Sequence, residues 1–143
     1  MAKDTPTDDQ GHEGSGPTRR RALGEATVRE VYGELPLLPE GHVYGDALVE
    51  QLFAEVWSRP ALDIPSRRLL VMGVLAAQGR FEQLGFQFQR VLAAGELTAA
   101  QLDEVVLQLT HYVGWGMSQP IVTEAEKAKA AHARTGQTEQ EQS

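Results

Sequence analysis

An all-α protein is what this sequence predicts, on three observations. Every stretch with a hydrophobic period has the helical one, with apolar residues three and four apart. No run alternates apolar and polar residues between turn signals, as a half-buried strand would. The periodic stretches are also bracketed by helix punctuation, with Thr or Asp at their starts and Gly or Pro at their ends.

The elements follow in order. Thr27 and Glu30 have capping-box spacing, so a short helix is expected over residues 28–32, ended by Gly33 and Pro36. After Gly45, Asp46 can accept the free amides of a helix carrying Leu48, Val49, Leu52, Phe53, Val56 and Trp57, closed by Pro60. Asp63 and Ser66 are alternative caps for a third helix that begins near Pro65 and runs to Gly79. It is apolar nearly all round, so it must be covered on most sides by its own domain or by another subunit. A fourth helix over 81–94 turns Leu84, Phe88, Val91 and Leu92 to a core and stops at Gly95. Thr98 and Gln101 cap a fifth, with Leu102, Val105, Val106, Leu109, Tyr112 and Val113 as its apolar positions and Gly114 and Gly116 interrupting it. Beyond Pro120, an alanine-rich last helix is expected over about 121–132.

The organisation implied is an acidic N-terminal arm over 1–17, disordered because it is nearly free of apolar residues, a helical domain over 18–131, and a flexible tail over 132–143. A length of 143 residues fits one domain, since two independent cores seldom fit below about 150 residues. No apolar run approaches the roughly 18 residues of a membrane span, and the N-terminal stretch lacks the apolar centre of a secretory signal. A cytoplasmic protein without a membrane partner is expected. The formal charge of −7 offers no basic field for nucleic acid. The chain contains no cysteine, which excludes disulfides, thiolate ligands and thiol catalysis. No metal is expected either, because His12, His42, His111 and His132 lie far apart in sequence.

Two polar faces stand out on otherwise apolar helices. Arg80, Gln83 and Gln87 follow at spacings of three and four, which makes them either a solvated stripe or a binding face. Gln108, His111, Tyr112 and Trp115 fall at i, i+3, i+4 and i+7, either as the lining of a small-molecule pocket or as an ordinary core edge or subunit interface. His111 carries an imidazole able to take and give a proton, although a lone His is as readily structural. Arg67 and Arg68 stand at the start of the apolar third helix, where positive charge opposes the helix dipole. Either a salt bridge, with Asp63, Glu55 or Glu82 as partners, or a clamp on a ligand carboxylate would account for them.

A resemblance emerges from the run Ala22-Leu23-Gly24-Glu25, then Glu55-Val56-Trp57-Ser58-Arg59-Pro60-Ala61-Leu62-Asp63, then Arg67 ahead of an apolar helix ending Gly79-Arg80-Phe81-Glu82. With Gly95, Thr98, Glu104-Val105-Val106-Leu107, Tyr112 and Gly114, these residues resemble the carboxymuconolactone decarboxylase family over about residues 20–130. The resemblance implies a helical subunit in a ring-like homo-oligomer, a trimer or hexamer. It also implies a cofactor-independent lyase of aromatic compound catabolism, which releases carbon dioxide from a carboxylated unsaturated lactone. On that basis Arg67 is the expected carboxylate clamp, His111 the proton-moving group and Glu82 a further acid. Gln87, Gln108, Tyr112, Trp115, Gln83 and Arg80 are the expected substrate-binding residues.

The departures matter as much. Where the family has a histidine in the middle of the fourth helix this chain has Gln87, and where it opens the His-x-Ala-x-Tyr-x-Gly-x-Pro pattern this chain has Gln108. Glutamine keeps hydrogen-bonding capacity but moves no proton. His111 stands one helical turn away, as a possible substitute in a different geometry. The alkylhydroperoxidase-like branch uses a Cys-x-x-Cys pair that would fall at Arg80 and Gln83, so peroxidase and disulfide reductase activity are excluded. The leading expectation is an enzyme acting on a small carboxylated or lactone-type substrate. The alternatives are a non-catalytic ligand-binding or assembly protein on the same scaffold, or a redirected cyclase or isomerase of secondary metabolism.

Overall fold

The computed structural model describes residues 17–141, with side chains over 19–137, and among these residues every regular element is helical. They fall into two compact units, one ending at Arg59 and one beginning at Pro60. Each has its own set of buried side chains, where length alone suggests a single core.

The first unit pairs α1 (Pro17–Tyr32) with a helix that opens as one α-turn, α2 (Val43–Asp46), and continues as a π-helix over Ala47–Trp57. α1 starts well before the expected 28–32. Thr27 lies inside it and donates its hydroxyl to Leu23 O at 2.9 Å instead of capping. The Arg19-Arg20-Arg21-Ala22-Leu23 run consists of strong helix formers behind an N-terminal proline, so the helix extends backwards. Asp46 is likewise not the cap: His42 Nδ1 accepts from Gly45 N at 3.3 Å. Asp46 turns its carboxylate to Arg21 Nη1 at 2.6 Å and to Gly41 N at 3.1 Å, because a guanidinium is the stronger partner.

The π-helix changes which residues face inward. Its buried set is Val49, Phe53, Ala54 and Trp57, spaced four and five apart as a wider turn requires, while Leu52 and Val56 are exposed against expectation. Phe53 and Trp57 stack at 5.9 Å, and Tyr32 meets Phe53 edge-on at 5.8 Å. Gly24 is where α1 touches this helix most closely. A Cβ there would collide with the backbone carbonyl of Val49.

The second unit comprises α3 (Ile64–Ala77), α4 (Phe81–Ala93), α5 (Ala99–Val113), a 3₁₀ turn (Trp115–Met117) and α6 (Ser118–Glu141). Their boundaries follow the sequence signals. Asp63 Oδ1 accepts from Ser66 N at 2.9 Å at the start of α3, and Thr98 and Gln101 make the reciprocal capping box of α5. Gly79, Gly95 and Gly114 take φ of 68°, 68° and 95° at the helix ends, a region where a side chain would be strained. Met72, Leu84, Phe88, Leu92, Leu102 and Ile121 form the centre of the core, with α6 lying along α4 and against α5. Gly85 of α4 admits the Glu124 side chain of α6.

One expectation about the ends of the chain changes here. α6 does not stop near His132 but continues to Glu141, its Ala, Glu, Lys and Gln content favouring helix throughout. The expected disordered arm lies outside the described residues apart from Pro17, which belongs to α1. No helix of the described residues is long and apolar enough to cross a membrane.

Candidate functional site

The strongest chemistry in the second unit is buried. α3 inserts Arg68, Met72 and Ala76 into the core at four-residue spacing, and Arg68 is 0% exposed. A guanidinium in such a place requires a full set of acceptors. Glu96 supplies two: Arg68 Nε donates to its Oε2 at 2.7 Å and Nη2 to its Oε1 at 3.0 Å. Arg68 Nη1 donates to Gln87 Oε1 at 3.0 Å. The positions are set by local folding. Gln87 lies on the inward face of α4, and Glu96 follows Gly95, whose left-handed backbone ends α4 and lets Glu96 N bond back to Val91 O at 3.0 Å.

This arrangement answers the question raised by the two adjacent arginines. Arg68 makes a salt bridge with Glu96, a partner outside the expected Asp63, Glu55 and Glu82, while the charge of Arg67 acts on Asp63. Arg67, the expected clamp, is half-buried and donates from Nε to Leu62 O at 3.0 Å. Gln87, expected as a pocket residue, is buried and faces Arg68. The three side chains of Arg68, Gln87 and Glu96 close on one another as a charge-balanced set joining α3, α4 and the α4–α5 connection.

The second sequence-predicted face lies on the surface. Gln108 and His111 are exposed, Tyr112 is 82% exposed and Trp115 69%. His111 and Trp115 rings meet edge-to-face at 5.5 Å. His111 Nδ1 stands 2.8 Å from Leu107 O. Since a carbonyl only accepts, Nδ1 carries the proton, and in the neutral ring Nε2 is the acceptor. Arg80, Glu82 and Gln83, at the start of α4, are exposed as well. The structure thus brings together His111 and Trp115, and Gln87 with Arg68.

Two of the grooves among the described residues have volumes of about 350 Å³. One lies between α3 and α5, lined by Leu69, Glu104, Val105, Gln108 and Leu109. The other lies between α4 and α6, lined mainly by small residues with Gln89 and His132 at its edge. Among the described residues, no group of three or more His, Asp or Glu side chains could hold a metal ion. Asp63 sits below the usual carboxylate range because the Ser66 hydroxyl and amide donate to it. Lys129 of α6 is pushed above its ordinary value by hydrogen bonds to Asp103 and Glu126.

Sequence reading missed Glu96, Glu104 and Leu69. Position 68 was accessible to it, since the spacing 68, 72, 76 continues the buried stripe of α3. Nothing local marks Glu96 as its partner, because the two are 28 residues apart. No family model matches this chain, and neither does any curated protein or solved structure.

Proposed function

We propose that this chain is a self-associating, small-molecule-binding protein on a carboxymuconolactone decarboxylase-like scaffold, working in the cytoplasm without the histidine proton chemistry of that family. One observation carries the reading. Gln87, at the position where the resemblance places a histidine, is buried and engaged by Arg68, which is itself held by both carboxylate oxygens of Glu96. A closed set of this kind holds no proton to transfer and no cation free to grip a substrate carboxylate. Self-association is supported by the exposed apolar side chains of α3, where Leu70 and Val74 are each more than half exposed. A trimeric or hexameric ring is the assembly proposed.

Incubation with the carboxylated muconolactone, followed by ultraviolet absorbance and carbon dioxide release, is expected to show no turnover. Light scattering is expected to give three or six times the subunit mass of 15.7 kDa. A monomer at micromolar concentration would remove the assembly part of the proposal. Product formation would remove the non-catalytic part.

A specific observation favours a second reading, an enzyme with His111 as its proton-moving group. The hydrogen bond from Nδ1 to Leu107 O fixes the ring with Nε2 as acceptor, which is the orientation a general base needs. In this reading a neighbouring subunit covers Tyr112 and Trp115, Arg67 holds a carboxylate, and Glu82 is an auxiliary acid. If turnover were found, His111→Ala would then abolish it while leaving the oligomer intact.

A further inference from the structure

We propose that the groove between α3 and α5 binds a small amphiphile with an apolar body and a cationic ammonium group, rather than a carboxylate. The inference rests on the small-molecule-binding reading above and names the class of ligand. Leu69, Val105 and Leu109 give the groove an apolar floor, and its volume of about 350 Å³ suits a single ring with a short side chain. Its polar groups are Glu104 and Gln108, four residues apart on α5 and so on one face. Neither side chain has a hydrogen-bond or ion-pair partner among the described residues, unlike the neighbouring Asp103, which is held by Lys129.

The charge balance of the groove decides the sign of the ligand. No cationic side chain lines it. The nearest arginines in sequence are committed elsewhere, Arg68 inward to Glu96 and Arg67 to Leu62 O. A carboxylate entering the groove meets Glu104 with no cation to offset the repulsion. An ammonium gains the Glu104 carboxylate and an amide oxygen from Gln108, and its body covers the leucines and valine. One turn on from Gln108 on α5, the exposed ring of Tyr112 adds an electron-rich surface that also attracts cations.

Three probes of nearly equal shape test this by amide chemical-shift titration of the full chain: 2-phenylethylammonium, 2-phenylethanol and 3-phenylpropanoate. The ammonium is expected to saturate with a dissociation constant of about 1 mM, the affinity a fragment of this size reaches. Shifts should centre on Leu69, Val105, Gln108 and Leu109. The alcohol should bind about fivefold more weakly and the carboxylate more weakly still, the difference being that of one exposed ion pair. Glu104→Gln, a surface change, should lower the ammonium affinity to that of the alcohol and leave the alcohol unaffected. Equal binding of ammonium and alcohol, or tighter binding of the carboxylate, overturns the cationic assignment while ligand binding itself stands. Absence of shifts from all three probes overturns both the assignment and the binding reading beneath it.

Discussion

Arg68 and Glu96 show what a buried charge does to a small core. The guanidinium is 0% exposed and every bond to Glu96 replaces water it has lost. Removing one partner leaves the other buried without compensation, so Glu96→Gln is expected to cost about 3 kcal/mol in urea unfolding. The double variant Arg68→Met with Glu96→Met should recover most of that loss, because a packed apolar pair needs no desolvation. If the losses in the single variants Arg68→Met and Glu96→Met simply added in the double, the pair would not be acting as a unit. Asp63 acts at the same scale with the opposite exposure. Its folded pKa is depressed below its ordinary value of 3.8 by the bonds from Ser66. The sign follows: the stabilisation is present above that ordinary value and is lost as pH falls below it through the folded pKa. Asn caps as well as Asp without titrating. Thermal melts of the native chain and Asp63→Asn should therefore converge or cross as pH drops from about 5 to about 2.5, and parallel curves would exclude the cap as the titrating group.

At the level of elements, two glycines make a matched experiment. Both sit inside helices, where alanine normally gains about 1 kcal/mol. At Gly24 the added methyl meets the Val49 backbone, which cannot step aside, so Gly24→Ala is expected to destabilise by about 2 kcal/mol. At Gly85 it meets the Glu124 carboxylate, which can rotate away, and the Glu124 Cβ, which has to give by only a few tenths of an ångström, so Gly85→Ala should stay within about 1 kcal/mol of the native chain. Denaturant titration separates the two, and equal effects would mean the α1 to π-helix approach is looser than described. Helix ends were the most legible part of the fold. Asp63, Thr98, Gly79, Gly95 and Gly114 act through atoms within a few residues of themselves, so their roles survive whatever packs around them. Thr27 and Asp46 have the same cap chemistry and lose that role. The helix formers before Thr27 carry α1 through it, and Arg21 draws Asp46 away.

For the whole molecule, the division into two units sets an order of opening. The first unit places few large side chains out of water, whereas the second buries Met72, Leu84, Phe88, Leu92, Leu102 and Ile121 together. Local stability follows buried apolar contact, so amides of the Ala47–Trp57 π-helix should exchange with deuterium before those of Phe81–Ala93. Uniform protection across both would mean that the two units open as one cooperative body. The same scale explains why the α5 face remained open to two readings in sequence. Spacing places Gln108, His111, Tyr112 and Trp115 on one side of a helix, but period alone does not tell which side meets a neighbour. Tyr112 and Trp115 turn out to face away from the chain's own core.

The sequence by itself determined the helical class, most helix ends in the second unit, the inward stripe of α4, and the absence of thiol chemistry. Each of these depends on covalent composition or on interactions a few residues long. Tertiary structure alone decided that Glu96 seals Arg68, that Gln87 turns inward, that the segment over Ala47–Trp57 winds as a π-helix, and that Glu104 borders an apolar groove beside Leu69. Those outcomes depend on which side chains separate helices bring within hydrogen-bond reach, and a guanidinium leaving water takes the carboxylate the fold presents to it, not the nearest one in the chain.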